Sequence, residues 1–165
     1  TAHGAKGRVE PVPTDGDYSI FIDYAVTPDA IENVLTTLRG IAPKRLVMLF
    51  GAGGDRDRKK RPIMGKLSAD IADFVIVTSD NPRTENPMSI IEEILPGVRA
   101  GKAPYKVICD RPEAIRWAID HHEPGDVILL CGKGHEDYQI IGHEKIHMDE
   151  REIVADYLAE RAKRT

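Results

Sequence analysis

Charged and amide side chains that suit an amino-acid ligand follow three apolar runs of the sequence. These residues are Arg56, Asp80, Asn81, Arg83 and Glu136. An arginine guanidinium matches a carboxylate with two parallel hydrogen bonds, whereas aspartate and glutamate accept hydrogen bonds from an ammonium group. Groups of both signs gathered in one place would therefore bind a zwitterionic amino acid. The alternative is that these charges form solvated ion pairs on loops.

The glycines in the same segments give only a weak indication of a nucleotide site. GAGG (51–54) matches part of a dinucleotide fingerprint, but the full G-x-G-x-x-G is missing, which disfavours a nicotinamide oxidoreductase. GKG (132–134) could help to hold an anion, yet the sequence contains no G-x-x-x-x-G-K-[ST] phosphate-binding loop. The six histidines show no metal-ligand spacing. We therefore expect no metal site and no nucleotide-hydrolysing centre in this sequence.

Five short apolar runs predict the strands that position these residues. The runs are almost continuously apolar and rich in Val, Ile and Leu, as are parallel strands buried on both faces. The predicted strands are Ser19–Asp23, Arg45–Phe50, Phe74–Thr78, Lys106–Cys109 and Val127–Cys131. Because amphipathic stretches alternate with them, the sequence predicts a Rossmann-like α/β fold, with a mainly parallel sheet flanked by helices. Ligands of such sheets bind beyond the carboxyl ends of the strands, where the polar segments lie.

Capping residues predict where the helices begin. The expected N-caps are Thr27, Asn86, Asp110 and Asp149, and a weaker helix is expected over 63–72. Pro96 and Gly97 are expected to end the helix that follows Asn86.

The two ends of the sequence differ from its alternating middle. Residues 138–141 and 145–148 flank Gly142 and predict an extra hairpin at an edge of the sheet. Residues 1–17 contain glycines and prolines and predict a linker without core elements, so the domain is expected over 18–165.

Composition restricts the class of protein. The 165 residues fit one domain, and the net charge of −4 argues against a nucleic-acid partner. No apolar run approaches the roughly 18 residues of a membrane span, so we expect no membrane partner and a cytoplasmic location. Cys109 and Cys131 lie in apolar runs and are expected to be buried thiols.

Six stretches of the sequence together resemble the C-terminal domain of the Mur ligases. They are GRVEPVP (7–13), FIDYAVTPDAIENVL (21–35), FGAGGDRDRKKRPIMG (50–65), VTSDNPRTENPMSIIEEI (77–94), DRPEAIRWAI (110–119) and GKGHEDYQII (132–141). They cover nearly the whole chain in order. The DNPR tetrad at 80–83 is similar to the recognition motif of the branch that adds diaminopimelate, and lysine-adding relatives differ there.

The resemblance implies a role for particular positions. The residues that fall on diaminopimelate-contacting positions are Arg56, Asp80, Asn81, Pro82, Arg83, Gly132 and Glu136. Arg83 would clamp a carboxylate, while Glu136 and the Gly132 backbone would hold the distal amino-acid end of the ligand. Arg8 and Asp23 fall on positions that approach the nucleotide. No residue of this domain alone is implied to be catalytic.

The resemblance also implies a reaction. A ligase of this branch uses ATP to join meso-diaminopimelate to a UDP-MurNAc-dipeptide (UDP-MurNAc-L-Ala-D-Glu), with ATP and Mg²⁺ held mainly by a central domain. On this view the N-terminal and central domains are partners, and residues 1–17 lead from the central domain. The alternative is a standalone amino-acid-binding module of the same ancestry without catalytic activity. Folylpolyglutamate synthase, a relative of similar architecture, is disfavoured because it lacks the DNPR pattern.

One position departs from the family pattern. The family usually has Asp-Tyr-Ala-His-Thr-Pro, whereas this chain has Val26 in place of the histidine. The resemblance therefore implies that a polar group near the ATP phosphates is missing.

Overall fold

A six-stranded sheet forms the centre of the computed structural model, which describes residues 8–41 and 43–164. The strands are β1 (Glu10–Val12), β2 (Tyr18–Asp23), β3 (Arg45–Phe50), β4 (Phe74–Val77), β5 (Tyr105–Val107) and β6 (Asp126–Cys131). Their spatial order is β1-β2-β6-β3-β4-β5, and every neighbouring pair is parallel except β1 with β2. The Rossmann-like α/β prediction is thereby confirmed.

Helices cover both faces of this sheet. They are α1 (Pro28–Arg39), α2 (Lys60–Ile71), α3 (Pro87–Ala100), α4 (Arg111–Asp120) and α5 (Glu150–Lys163). The predicted caps are confirmed at all four positions, since each side chain accepts a hydrogen bond from a backbone N–H of the first turn. None of the helices in the described residues is long and apolar enough to cross a membrane.

The apolar strands divide their side chains between two cores. In β3, Leu46 and Met48 point to the core shared with α1, α2 and α3, whereas Val47 and Leu49 point to the core shared with α4 and α5. This alternation explains why the strands have no polar face, because both faces are covered by helices.

A hairpin lies apart from the main sheet, in contrast to the prediction of an extended sheet edge. Its strands β7 (Tyr138–Ile141) and β8 (Glu144–His147) form a two-stranded antiparallel sheet of their own. A single parallel bridge between Arg83 and Ile141 joins it to the segment after β4. The hairpin therefore sits over the carboxyl ends of the strands, because its partner is a loop rather than a strand.

Two boundaries differ from the prediction. The expectation that 1–17 contributes no core element is wrong at β1, which pairs with β2 and buries Val12. An edge strand tolerates the prolines that suggested a linker, since its outer N–H groups need no partner. Likewise α3 does not end at Pro96-Gly97 but continues to Ala100. Gly97 lets α3 pack directly on Pro62 of α2, and this close packing favours the continued helix.

Candidate functional site

A cavity of about 430 Å³ opens at the carboxyl ends of β3, β4 and β6. Six of the seven residues predicted to contact the amino acid line it: Arg56, Asp80, Asn81, Arg83, Gly132 and Glu136. The seventh, Pro82, is buried behind the wall, with its carbonyl against Gly54. Segments distant in the sequence thus meet at one site, as the strand ends predicted.

The loops after β3 and β4 are bonded to each other. The Gly54 N–H donates to the Asn81 carbonyl (2.7 Å), and the Thr84 hydroxyl donates to Asp55 Oδ1 (2.8 Å). The Asp55 N–H donates to Glu85 Oε2 (2.6 Å). Asp55 therefore serves to join the two loops.

Arg61 also joins the loops after β3 and β4. Its side chain is 1% exposed and donates to Glu85 (2.7 Å), to Glu93 (3.1 Å) and to the Gly53 carbonyl (3.0 Å). The hydrogen bond from Arg61, together with that from the Asp55 N–H, lowers the pKa of Glu85 to about 2. The sequence predicted only a weaker helix over 63–72 in this region, and the burial of Arg61 was not foreseen.

The hairpin holds the segment 79–83 in place. The Gln139 side-chain amide donates to Ser79 Oγ (2.9 Å) and to the Asp80 carbonyl (2.5 Å). The Arg83 N–H donates to the Ile140 carbonyl (3.1 Å), and the Gly142 N–H donates to the Arg83 carbonyl (2.7 Å). β7 therefore fixes the backbone from which the cavity-lining side chains of Asp80, Asn81 and Arg83 project.

The two arginines of the cavity keep donors for a ligand. Arg83 has a left-handed backbone (φ 54°), and its Nη1 donates to the Gly54 carbonyl (3.0 Å). Arg56 is exposed, and its Nη1 donates to the Asp55 carbonyl (3.1 Å). Neither guanidinium forms an ion pair with any residue that the structure describes. Both can therefore bind an incoming carboxylate.

Asp80 and Glu136 form the acidic side of the cavity, and both carboxylates lie near the ammonium group of Lys133. Its Nζ donates to Asn81 Oδ1 (2.6 Å) and lies 3.1 Å from Glu136 Oε1 and 3.5 Å from Asp80 Oδ1. The Lys133 side chain is fully buried. In the sequence, Lys133 stands out only as part of a glycine turn that could help to hold an anion. The signal that could have indicated its burial is its place directly after a fully buried strand.

Gly132 allows the loops after β4 and β6 to approach each other closely. Its φ is +115°, and a Cβ added there would lie 2.7 Å from Asp80 Oδ2. A side chain at this position would therefore push apart the loops after β4 and β6.

Arg111 connects the segments at the ends of β4 and β6, the two strands that flank β3 in the sheet. Its Nη1 donates to the Ser79 carbonyl (3.0 Å), its Nη2 to the Cys131 carbonyl (2.8 Å) and its Nε to Glu150 Oε2 (2.8 Å). Arg111 and Glu150 are both fully buried. The guanidinium therefore fixes the spacing between the ends of β4 and β6.

A second groove of about 560 Å³ contains the two residues predicted to lie near the nucleotide, Arg8 and Asp23. Asp23 is buried, and its two carboxylate oxygens accept the N–H groups of Val9 and Ala25 (2.9 Å each). Arg8 donates to the Tyr24 hydroxyl (2.5 Å) and lies over its ring. Arg8 is thus the cation of this groove, whereas Asp23 is engaged by the backbone.

Val26, which departs from the family pattern, lines the first cavity rather than the second groove. It is 53% exposed. No group of three or more His, Cys, Asp or Glu side chains in residues 8–41 and 43–164 is arranged to hold a metal ion.

The fold and the cavity define a Rossmann-like α/β domain that presents charges of both signs at the carboxyl edge of its sheet. The family model for the Mur ligase, glutamate ligase domain matches residues 7–134. The chain belongs to this family.

Curated relatives match nearly all of the chain. A UDP-N-acetylmuramoyl-L-alanyl-D-glutamate–2,6-diaminopimelate ligase of Caldanaerobacter subterraneus is 54% identical over 158 residues, which are 96% of this chain and 33% of the relative. A ligase of the same name from Trichormus variabilis is 54% identical over 162 residues, 97% of this chain and 32% of the relative. The chain thus spans about a third of the length of the curated relatives it matches.

Solved structures agree with the architecture. The structure of a UDP-N-acetylmuramoyl-L-alanyl-D-glutamate–2,6-diaminopimelate ligase superposes with a TM-score of 0.87 at 39% identity, covering 96% of this chain and 32% of that chain. A UDP-N-acetylmuramate-alanine ligase of Thermotoga maritima has a TM-score of 0.65 at 19% identity, covering 99% and 31% respectively. The second likeness shows the shared fold alone.

Proposed function

We propose that this chain is the amino-acid-binding domain of an ATP-dependent ligase that joins meso-diaminopimelate to UDP-MurNAc-L-Ala-D-Glu in peptidoglycan precursor synthesis. The observation that carries the proposal is the cavity, whose lining includes two guanidinium groups without an ion pair to any described residue and the carboxylates of Asp80 and Glu136. The names of the relatives support the choice of substrate. On this proposal residues 1–17 lead from a central ATPase domain, and the cytoplasmic location stays a prediction.

The charges of the cavity divide between the two groups of an amino-acid end. Arg83 and Arg56 both lie beside Gly53, on the basic side, and would bind the carboxylate. Asp80 and Glu136 lie on the acidic side with Lys133 and would accept the ammonium hydrogens. Diaminopimelate carries such an end at a distance from its reacting amine, whereas lysine carries only the ammonium there.

Asn81 would add a donor to the carboxylate side. Its Oδ1 accepts from Lys133 Nζ (2.6 Å) and from the Ile140 N–H (2.9 Å), both of which can only donate. The amide is therefore oriented with Nδ2 turned away from these donors. Since Asn81 lines the cavity, Nδ2 would donate to a ligand carboxylate bound beside Arg83.

The share of this domain in the reaction would be to orient the attacking amine. ATP, bound mainly by a central domain with Mg²⁺, would supply a phosphoryl group that activates the glutamyl carboxylate. Holding the distal end of diaminopimelate fixes where its other amine points, and such positioning lowers a reaction barrier by as much as about 7–11 kcal/mol. Arg8, exposed on the second groove, would approach the nucleotide from this side.

An NMR titration of the 165-residue chain with meso-diaminopimelate and with L-lysine tests the proposal. We expect the chain to bind diaminopimelate more tightly, and Arg83→Met to weaken that binding by about 10–100-fold, because a charge-assisted hydrogen bond is removed. Lysine binding should change little. Arg116→Met, which removes an exposed arginine of α4, is the matched control. Equal or tighter binding of lysine by the unaltered chain would contradict the proposal.

A further inference from the structure

Lys133 is a buried cation placed between the two carboxylates of the cavity. Its Nζ lies 3.1 Å from Glu136 Oε1, 3.5 Å from Asp80 Oδ1 and 2.6 Å from Asn81 Oδ1. The Tyr138 ring centroid is 5.2 Å away. The side chain is fully buried, so its charge is compensated by these neighbours and not by solvent.

This arrangement sets the charge that a ligand meets on the acidic side. The two carboxylates and the one ammonium carry a net charge of −1. This charge matches the single ammonium of an amino-acid end whose carboxylate is bound by the arginines. Without the lysine the same place would carry −2. A charge of −2 favours a ligand end that carries only an ammonium, because the attraction for a net cation increases.

We propose that Lys133 is a specificity-determining residue, which sets the charge of the acidic side so that the cavity prefers an amino-acid end with both an ammonium and a carboxylate over a bare ammonium. This inference rests on the proposed function. Lys133 acts through Asp80, Asn81 and Glu136, so its effect is on the choice of ligand. A lysine that only filled space in the fold would weaken all ligands alike when replaced.

The test compares two ligands that differ by one carboxylate, meso-diaminopimelate and L-lysine, in NMR titrations of variants of the chain. Lys133→Met should lower the ratio of diaminopimelate affinity to lysine affinity by about tenfold or more, because one unit of positive charge is lost within a few ångströms of the ligand. The double variant Lys133→Met with Glu136→Gln restores the net charge of −1, and the ratio should return toward its original value. Lys44→Met removes an exposed lysine before β3, at the opposite edge of the sheet, and should leave the ratio unchanged.

Glu136→Gln alone extends the test to a variant that keeps the buried lysine. The side chain of Glu136 is 30% exposed, and Lys133 keeps Asp80 and Asn81 as partners in this variant, so we expect it to fold even if Lys133→Met does not. This variant makes the acidic side neutral, and the affinity ratio should rise in favour of diaminopimelate. A ratio that stays within twofold of the original in Glu136→Gln and in any folded Lys133→Met variant would overturn the inference. Failure of the unaltered chain to bind either amino acid would instead contradict the proposed function.

Discussion

Asn81 shows how the neighbours of a side chain decide its chemistry. In the sequence, an asparagine after a strand can donate or accept, and both roles are open. In the structure, two groups that can only donate occupy Oδ1, so the donor Nδ2 is turned away from both of them. Residue types and their loop positions were thus readable in advance, whereas the partner of each atom depends on a contact with residues more than fifty positions away.

Glu85 provides a prediction about pH. Hydrogen bonds from Arg61 and from the Asp55 N–H lower the pKa of Glu85 to about 2, from an ordinary value of 4.5. The folded chain therefore gains stability from this carboxylate above pH 4.5 and loses it as the pH falls toward 2. Glu85→Gln should cost about 1 kcal/mol at pH 7 and flatten the dependence of stability on pH in this window.

Urea unfolding at several pH values measures both effects. Glu92→Gln, at an exposed position of α3, is the matched control and should retain the original pH profile. A Glu85→Gln variant that is as stable as the unaltered chain at pH 7 and keeps its loss of stability in acid would show that this carboxylate does not fasten the two loops.

At the scale of elements, the apolar runs predicted the strands because burial on both faces leaves a continuous signal. β1 was missed because a three-residue edge strand that contains Pro11 carries no such signal. The position of the hairpin was missed for another reason. Alternation within β7 and β8 indicates that they pair with each other, but it does not tell whether they pair with the main sheet or with a loop.

Arg111 joins the start of α4, the start of α5 and the ends of β4 and β6. Arg111→Met would leave the buried carboxylate of Glu150 without its cation. One oxygen of this carboxylate, Oε1, already has no hydrogen-bond partner among the described residues. We expect a loss of about 3–5 kcal/mol in the free energy of unfolding, the usual cost of breaking a buried ion pair.

Urea unfolding of three variants tests this expectation. The double variant Arg111→Met with Glu150→Leu should regain part of the loss, because no unpaired charge remains buried. Arg116→Met removes an exposed arginine from the same helix and should change the stability by less than about 0.5 kcal/mol. Equal stability of Arg111→Met and Arg116→Met would refute the role assigned to the buried pair.

At the scale of the whole molecule, the sequence predicted the family and the edge of the sheet where the cavity opens. The chain matches about a third of the length of each of these curated relatives. The part that could not be predicted is the bonding between segments 51–58, 79–85 and 132–142. These contacts depend on strand order, which no single segment encodes.

The purified chain should not turn over ATP. Its sequence contains no phosphate-binding loop, and the described residues include no group arranged to hold a metal ion. With ATP, Mg²⁺, meso-diaminopimelate and UDP-MurNAc-L-Ala-D-Glu present, we expect phosphate release no faster than from a heat-denatured sample. Release that increases with the concentration of native protein would show a hydrolytic centre within the chain.

The attachment of the hairpin has a consequence for the lifetime of the site. Backbone hydrogen bonds tie Arg83 to Ile140 and Gly142, yet the hairpin belongs to a separate two-stranded sheet. Isolated hairpins are marginally stable, and proteins open in cooperative units smaller than the whole domain. Opening of the hairpin would release Arg83 while the six-stranded sheet stays folded. The amide hydrogens of Arg83 and Gly142 should therefore exchange with solvent together, and faster than those of β6 at the centre of the sheet.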